Sequence, residues 1–225
     1  MIKEILAVFR KDTLMERAFQ RSFDMLHLTQ EMFLEAKNVL RETDENNLDI
    51  DIDDQDSEVN KYQRDVRKDV FSHLSLSGTD QLSSGLSLVS IVIDIERIGD
   101  FTKNIAAIAK NYKTKLTSGI FEERVKKMED AVVDSFERTI KIFEDSDEQA
   151  GLELIKEYKW ISKEADDIID ALIQEEDKNI NPGCAAALTL YLRSLKRIHS
   201  HLRNVVTSVV NPFHRIGFKP KKKKN

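Results

Sequence analysis

Apolar residues recur along this chain at spacings of three and four, over long stretches almost free of glycine and proline. That period places them on one face of an α-helix, and successive helices can be read in order. Residues 12–43 carry Leu14, Ala18, Phe19, Met25, Leu26, Met32, Phe33 and Leu40 on such a face. A second helix is expected over about 56–76, with Ser77-Gly78-Thr79 as stop and cap, and a third over about 80–112. Thr117-Ser118-Gly119 then breaks the pattern. Residues 121–143 and 148–175 give two more helices, and Asn181-Pro182-Gly183 marks the next turn. The last helix is expected over 184–210, ended by Asn211-Pro212.

The third of these helices organises the chain. Leu88, Val92, Ile95, Ile98, Thr102 and Ile105 form its packing face, and Glu96 and Asp100 lie one turn apart on the adjacent stripe. Two carboxylates at that spacing repel unless something positive sits between them. Two readings stand side by side. Glu96 and Asp100 are hard oxygen ligands for a metal ion, or they join a salt-bridge network with Arg97, Lys103 or a neighbouring helix. Asp65 and Asp69, one helix earlier and again four apart, are either further carboxylate ligands or solvated charges.

The third and sixth helices repeat each other. Arg97-Ile98 recurs as Arg197-Ile198, and Asn104-Ile105 as Asn204-Val205, at a constant offset of 100. Leu88, Val92, Ile95 and Ile105 match Leu188, Leu192, Leu195 and Val205. One helix cannot bury such a face alone, so each half is expected to be a three-helix unit. The expected organisation is all-α, with a first repeat over 1–116, a second, degenerate one over 117–213, and a basic, disordered tail over 214–225. The acids do not survive the repeat, for Lys196 and Ser200 stand at the positions of Glu96 and Asp100. Arg193, Lys196, Arg197 and Arg203 make the sixth helix basic instead, a candidate partner-binding surface.

Charge narrows the function classes. The chain carries −5 overall, and about −10 once Lys219 and Lys221 to Lys224 are set aside, which argues against general nucleic-acid binding. The lysine tail suits peripheral contact with an anionic membrane surface, or solubility alone. No run reaches the ~18 consecutive apolar residues of a membrane span, and the N-terminus lacks a signal-peptide pattern, so a cytoplasmic protein is expected. A single Cys184 excludes an internal disulfide framework and a cysteine zinc site. Asp49 to Asp54 superficially resemble a calcium loop, but Asp54 stands where the sharp turn needs Gly and Asn60 where a bidentate Glu is required. The bland reading is an acidic helix N-terminus favoured by the helix dipole. His199 and His201 sit among basic residues and read as surface side chains.

Glu96-Arg97-Ile98-Gly99-Asp100 followed by Asn104-Ile105 resembles the E(D)xxxD signature of the PhoU family. The approach through Glu58-Val59-Asn60, Asp65 to Val70 and His73-Leu74 is similar to that family's preceding helix. The likeness is specific over roughly residues 55 to 110. It implies two three-helix repeats and a regulator or adaptor of phosphate uptake. It also implies iron, zinc or another divalent metal at the acidic motif, which only the first repeat keeps. The implied partner is a phosphate transporter component, either an ABC importer or a sodium–phosphate cotransporter, or a sensor kinase. The acidic and basic faces also suit pairing of two copies as a homodimer. A ferritin-like metal enzyme is the competing class, but no Glu-x-x-His occurs. Neither a nucleophile elbow, a phosphate-cradling Gly loop nor HExxH is present, so an enzyme is not expected. The third class is a helical scaffold without metal.

Overall fold

The computed structural model describes residues 14–44, 47–77 and 80–220. Residues 12 and 13 of the first expected helix, Gly78 and Thr79 of the expected stop, and Lys221 to Lys224 of the basic tail lie outside them. The described chain is helical, without strands: α1 (Leu14–Glu42), α2 (Ile52–Ser77), α3 (Leu82–Asn111), α4 (Glu122–Asp145), α5 (Glu148–Glu157), α6 (Ile161–Ile173) and α7 (Pro182–Val210), with 3-10 turns at Gly119–Phe121 and Phe213–Arg215.

The starts of these helices have local causes. Asp51 accepts hydrogen bonds from the backbone N–H groups of Asp53 and Asp54 at 3.0 and 3.1 Å, so the acid-rich stretch begins α2 four residues earlier than expected. Asp147 caps α5 in the same way, and Asn181 caps α7 with Pro182 in its first turn.

Two bundles result. α1, α2 and α3 pack on one another, while α4, α5 and α6 pack against α7. The expected α3 face is buried throughout: Leu88, Val92, Ile95, Ile98, Thr102 and Ile105 are all at or below 1% exposure. Each such aliphatic side chain contributes roughly 1.5–3 kcal/mol by leaving water. α3 lies beside α7, and Asp94 meets Asn204 while Phe101 meets Arg197, so the two helices run antiparallel. α1 also touches α4, through Phe33 against Phe136 and Phe23 against Phe143, with ring centroids 5.3 and 4.8 Å apart.

The connection between the bundles is fastened on all sides. Leu116 N–H donates to the Leu40 carbonyl at 2.9 Å, and Arg41 donates to the Leu116 carbonyl. Ser118 N–H donates to Glu122 at 2.8 Å, and Ile120 N–H to Asp177 at 3.0 Å. Gly119 is required here: its φ is +55°, and a Cβ would lie 2.1 Å from Asp177 Oδ2.

Two expectations are corrected. The single helix over 148–175 is broken at Tyr158-Lys159-Trp160, although no Gly or Pro stands there. The cause is tertiary. The Tyr158 hydroxyl donates to Asp134 on α4 at 2.7 Å, its backbone bonds the His199 ring, and the two rings meet edge-on at 6.3 Å. Lys127 Nζ sits 4.8 Å over the Trp160 ring on the far side of the break. The basic tail also starts later than residue 214. Asn211 Nδ2 donates to the carbonyls of Arg215 and Phe218 at 3.0 and 2.8 Å, and Gly217 N–H donates to Thr207 Oγ1 at 2.7 Å. Residues 211–219 thus fold back as a hook on the end of α7.

His199, expected at the surface, is buried against Ser135 on α4 and Tyr158. Burial, and then Arg203, holds its pKa down to about 4, from 6.5 in an open chain. The folded state therefore keeps His199 neutral while the unfolded chain takes up a proton below about pH 6.5. The stability this contributes is complete above that pH and is lost as pH falls toward 4, by up to about 3 kcal/mol. Denaturant unfolding from pH 7 to 4 should show this loss in the wild type and a markedly flatter profile in His199→Gln. Equal slopes in the two proteins would place the titration elsewhere.

Candidate functional site

The acidic motif of α3 lies where α3 meets α2. Arg97 Nη1 donates to Asp100 Oδ2 at 2.8 Å, and its Nε stands 3.7 Å from Glu96 Oε2. One turn further along α3, Lys103 Nζ reaches Asp56 Oδ2 of α2 at 2.8 Å, and Asn60 donates to the same oxygen at 3.1 Å. Burial first, and then repulsion from Asp100, push the Glu96 carboxyl above its ordinary value, and Asp56 adds to the effect. The hydrogen bond to Asp56 raises Lys103. Asp56 Oδ1 is buried with no hydrogen-bond partner among the described residues. Gly99 lets α2 come close, since Val59 and Asp56 lie 3.5 and 4.0 Å from where a Cβ would stand.

Asp65 and Asp69 belong to a different network. Asp69 is buried and bridges Arg17 at 3.1 Å and Arg21 at 2.5 Å on α1, while Asp65 stands 3.8 Å from Arg21. These are ion pairs between α1 and α2, and arginines take both oxygens of Asp69. Among the described residues no three His, Cys, Asp or Glu side chains converge as a metal-binding group. The structure thus separates the four expected ligands into two networks, each supplied with its own arginine.

The basic residues of α7 are separated as well. Lys196 bonds both oxygens of Asp166 on α6 at 2.6 Å. Arg203 lies near His199, on the side facing α4 and α5. Arg193 and Arg197, one turn apart, face α3 instead. Arg197 lies over the Phe101 ring at 5.5 Å and within 3.4 Å of His201 Nε2. The expected single basic face is therefore two faces, and only Arg193 and Arg197 border the α3–α7 seam.

That seam holds what the sequence pattern did not reveal. Asp94 Oδ1 accepts from Asn204 Nδ2 and meets His201 Nδ1, both at 2.8 Å, and the His201 ring stacks on Phe101 at 5.8 Å. His201, expected at the surface, is buried. Beyond this node the helices part and leave a groove of about 580 Å³, lined on α3 by Phe101, Asn104, Ile108 and Tyr112 and on α7 by Leu190 and Arg193. The Ser–His pair of the second bundle, Ser135 and His199 at 3.3 Å, opens only on a void of about 10 Å³. It has room for one water at most and none for a substrate.

Comparison with known proteins fits these features. Residues 23–109 match the family model described as PhoU domain. No curated protein sequence matches the chain. Among solved structures, PhoU from Pseudomonas aeruginosa is similar, with a TM-score of 0.78 and 22% identity over 88% of this chain and 95% of that one. The phosphate transport system regulatory protein PhoU from Streptococcus pneumoniae is also similar, with a TM-score of 0.67 and 15% identity over 88% and 91% of the two chains. At these identities the likeness speaks for the fold, and the family model reaches residues 23–109. Residues 23–109 thus match the PhoU domain model, within a chain that has the fold of PhoU proteins.

Proposed function

We propose that this protein regulates phosphate uptake or phosphate signalling in the cytoplasm, and does so by binding rather than by catalysis. The observation that carries the reading is the PhoU domain match over residues 23–109, in a chain whose α3–α7 seam leaves an open groove. A phosphate transporter component or its sensor kinase is the partner class, with Arg193 and Arg197 as the basic residues turned toward it. Deleting the gene should change phosphate accumulation or the expression of phosphate-starvation genes. Normal uptake and a normal starvation response, with no second copy in the genome, would overturn the proposal.

A second reading concerns the first repeat. Asp56 Oδ1 lacks a partner and Glu96 is destabilised as an anion, and a divalent cation would relieve both. With so few carboxylates to hand, such an ion would keep several of its waters, as magnesium does. Asp65 and Asp69, already held by arginines, take no part. Elemental analysis of purified protein tests it. Metal should fall to background in the Glu96→Ala/Asp100→Ala double variant, and retention at the wild-type level would remove these residues from the site.

A further inference from the structure

The repeat relates the two ends of the α3–α7 seam. Adding 100 to Asn104, Ala107 and Asn111 of the open groove gives Asn204, Thr207 and Asn211. All three of those residues touch the chain's own C-terminal hook. Asn211 donates to the Arg215 and Phe218 carbonyls, Thr207 accepts from Gly217, and Asn204 Oδ1 lies 3.5 Å from where a Gly217 Cβ would stand. The Phe213–Arg215 turn also reaches α3, as an occupant of this end must. One groove is therefore filled by a short turn of the same chain, while its mate, with two of the three polar positions unchanged, is open.

The charges differ between the mates. Asp94 borders the filled end, and the hook laid there is basic, with His214, Arg215 and Lys219. In the open groove Ser194 takes the place of Asp94, and Arg193 that of Ile93. Arg193 is exposed and has no ion-pair partner among the described residues. The apolar surface continues past the groove over Leu190, 56% exposed, onto Ile173, 73% exposed.

We propose that the open groove between α3 and α7 is a docking site for a turn segment of a partner protein, apolar at its ends and carrying a carboxylate that pairs with Arg193. Asn111, whose Nδ2 bonds the Ala107 carbonyl at 2.7 Å, has a second amide hydrogen to donate to a backbone carbonyl of such a segment, and Phe101, Ile108 and Leu190 cover its apolar side chains. Arg193 supplies the selection by charge for that carboxylate. The inference goes beyond the regulatory reading, because the groove takes such a segment whatever process the protein regulates.

The probe is a fluorescent peptide with this chain's sequence from Asn211 to Lys219, carrying Arg215→Glu. Fluorescence anisotropy against the full-length protein should show saturable binding that weakens as salt rises. Arg193→Glu should weaken it by about tenfold or more, as expected for reversing one close charge pair. Ala107→Trp, which plugs the groove from an exposed position, should abolish it while leaving the thermal melt unchanged. The unaltered hook peptide should bind several-fold more weakly. Absence of binding, or binding indifferent to Arg193→Glu and Ala107→Trp, would overturn the proposal. So would sedimentation showing a homodimer that either variant dissociates, because a second copy would then be the occupant.

Discussion

Arg41, at the end of α1, is buried to 3% exposure, yet it crosses from one bundle to the other. Its guanidinium bonds Glu129 at 2.7 Å, Glu122, and the Leu116 carbonyl of the connecting segment, and Tyr191 on α7 donates to the same Glu129 oxygen at 2.7 Å. Burial opposes the Arg41 charge, but Glu129 and Glu122 more than offset it and hold the guanidinium above its ordinary value. Burial and Glu129 likewise push the Tyr191 phenol well up, so that it stays a donor. A buried ion pair of this kind adds little net stability over an apolar substitute, but losing one partner costs about 3–5 kcal/mol. Its contribution here is register. It fixes the end of α1, the connection, the start of α4 and the first half of α7 against one another, beside the direct packing of α3 on α7.

The sequence conveyed what a single helix determines by itself. The packing face of α3 was legible because an apolar stripe flanked by charges has one way to be buried, and the offset of 100 was legible because the two third helices meet equivalent surroundings. Asp51 as a cap, by contrast, was hidden inside an acidic run in which any of several residues could have started α2. The break at Tyr158 could not be seen, since its cause lies in Asp134 and His199 on other helices. His199 and His201 are two residues apart and bury toward different neighbours, one toward α4 and the other toward α3, so neither joins a simple stripe.

The candidate site was legible in part. Glu96 and Asp100 do lie together, and Arg97, offered by the sequence as their counter-charge, pairs closely with Asp100 and only loosely with Glu96. Asp65 and Asp69 share with them only the spacing of four. One signal was available: Arg17 and Arg21 have that spacing too, on the helix that α2 must pack against. Repeat comparison also favours what is retained. Asp94 has Ser194 as its mate, and so the residue that distinguishes the two ends of the seam fell outside the shared pattern. The two repeats share a backbone plan and differ in the charges set on it. That difference gives each end of the seam its own occupant.

Because Arg41 joins the two bundles, their unfolding offers the most direct measurement. Trp160 is the only tryptophan and lies in the second bundle, so its fluorescence reports that half, whereas far-UV circular dichroism reports the helices of both. In the wild type the two denaturant curves should coincide, as one cooperative transition requires. In Arg41→Met, which strands Glu129 and frees the connection, the fluorescence transition should separate from the dichroism transition and the first midpoint should fall. Coincident curves with an unchanged midpoint in Arg41→Met would show that the bundles are held together without this residue.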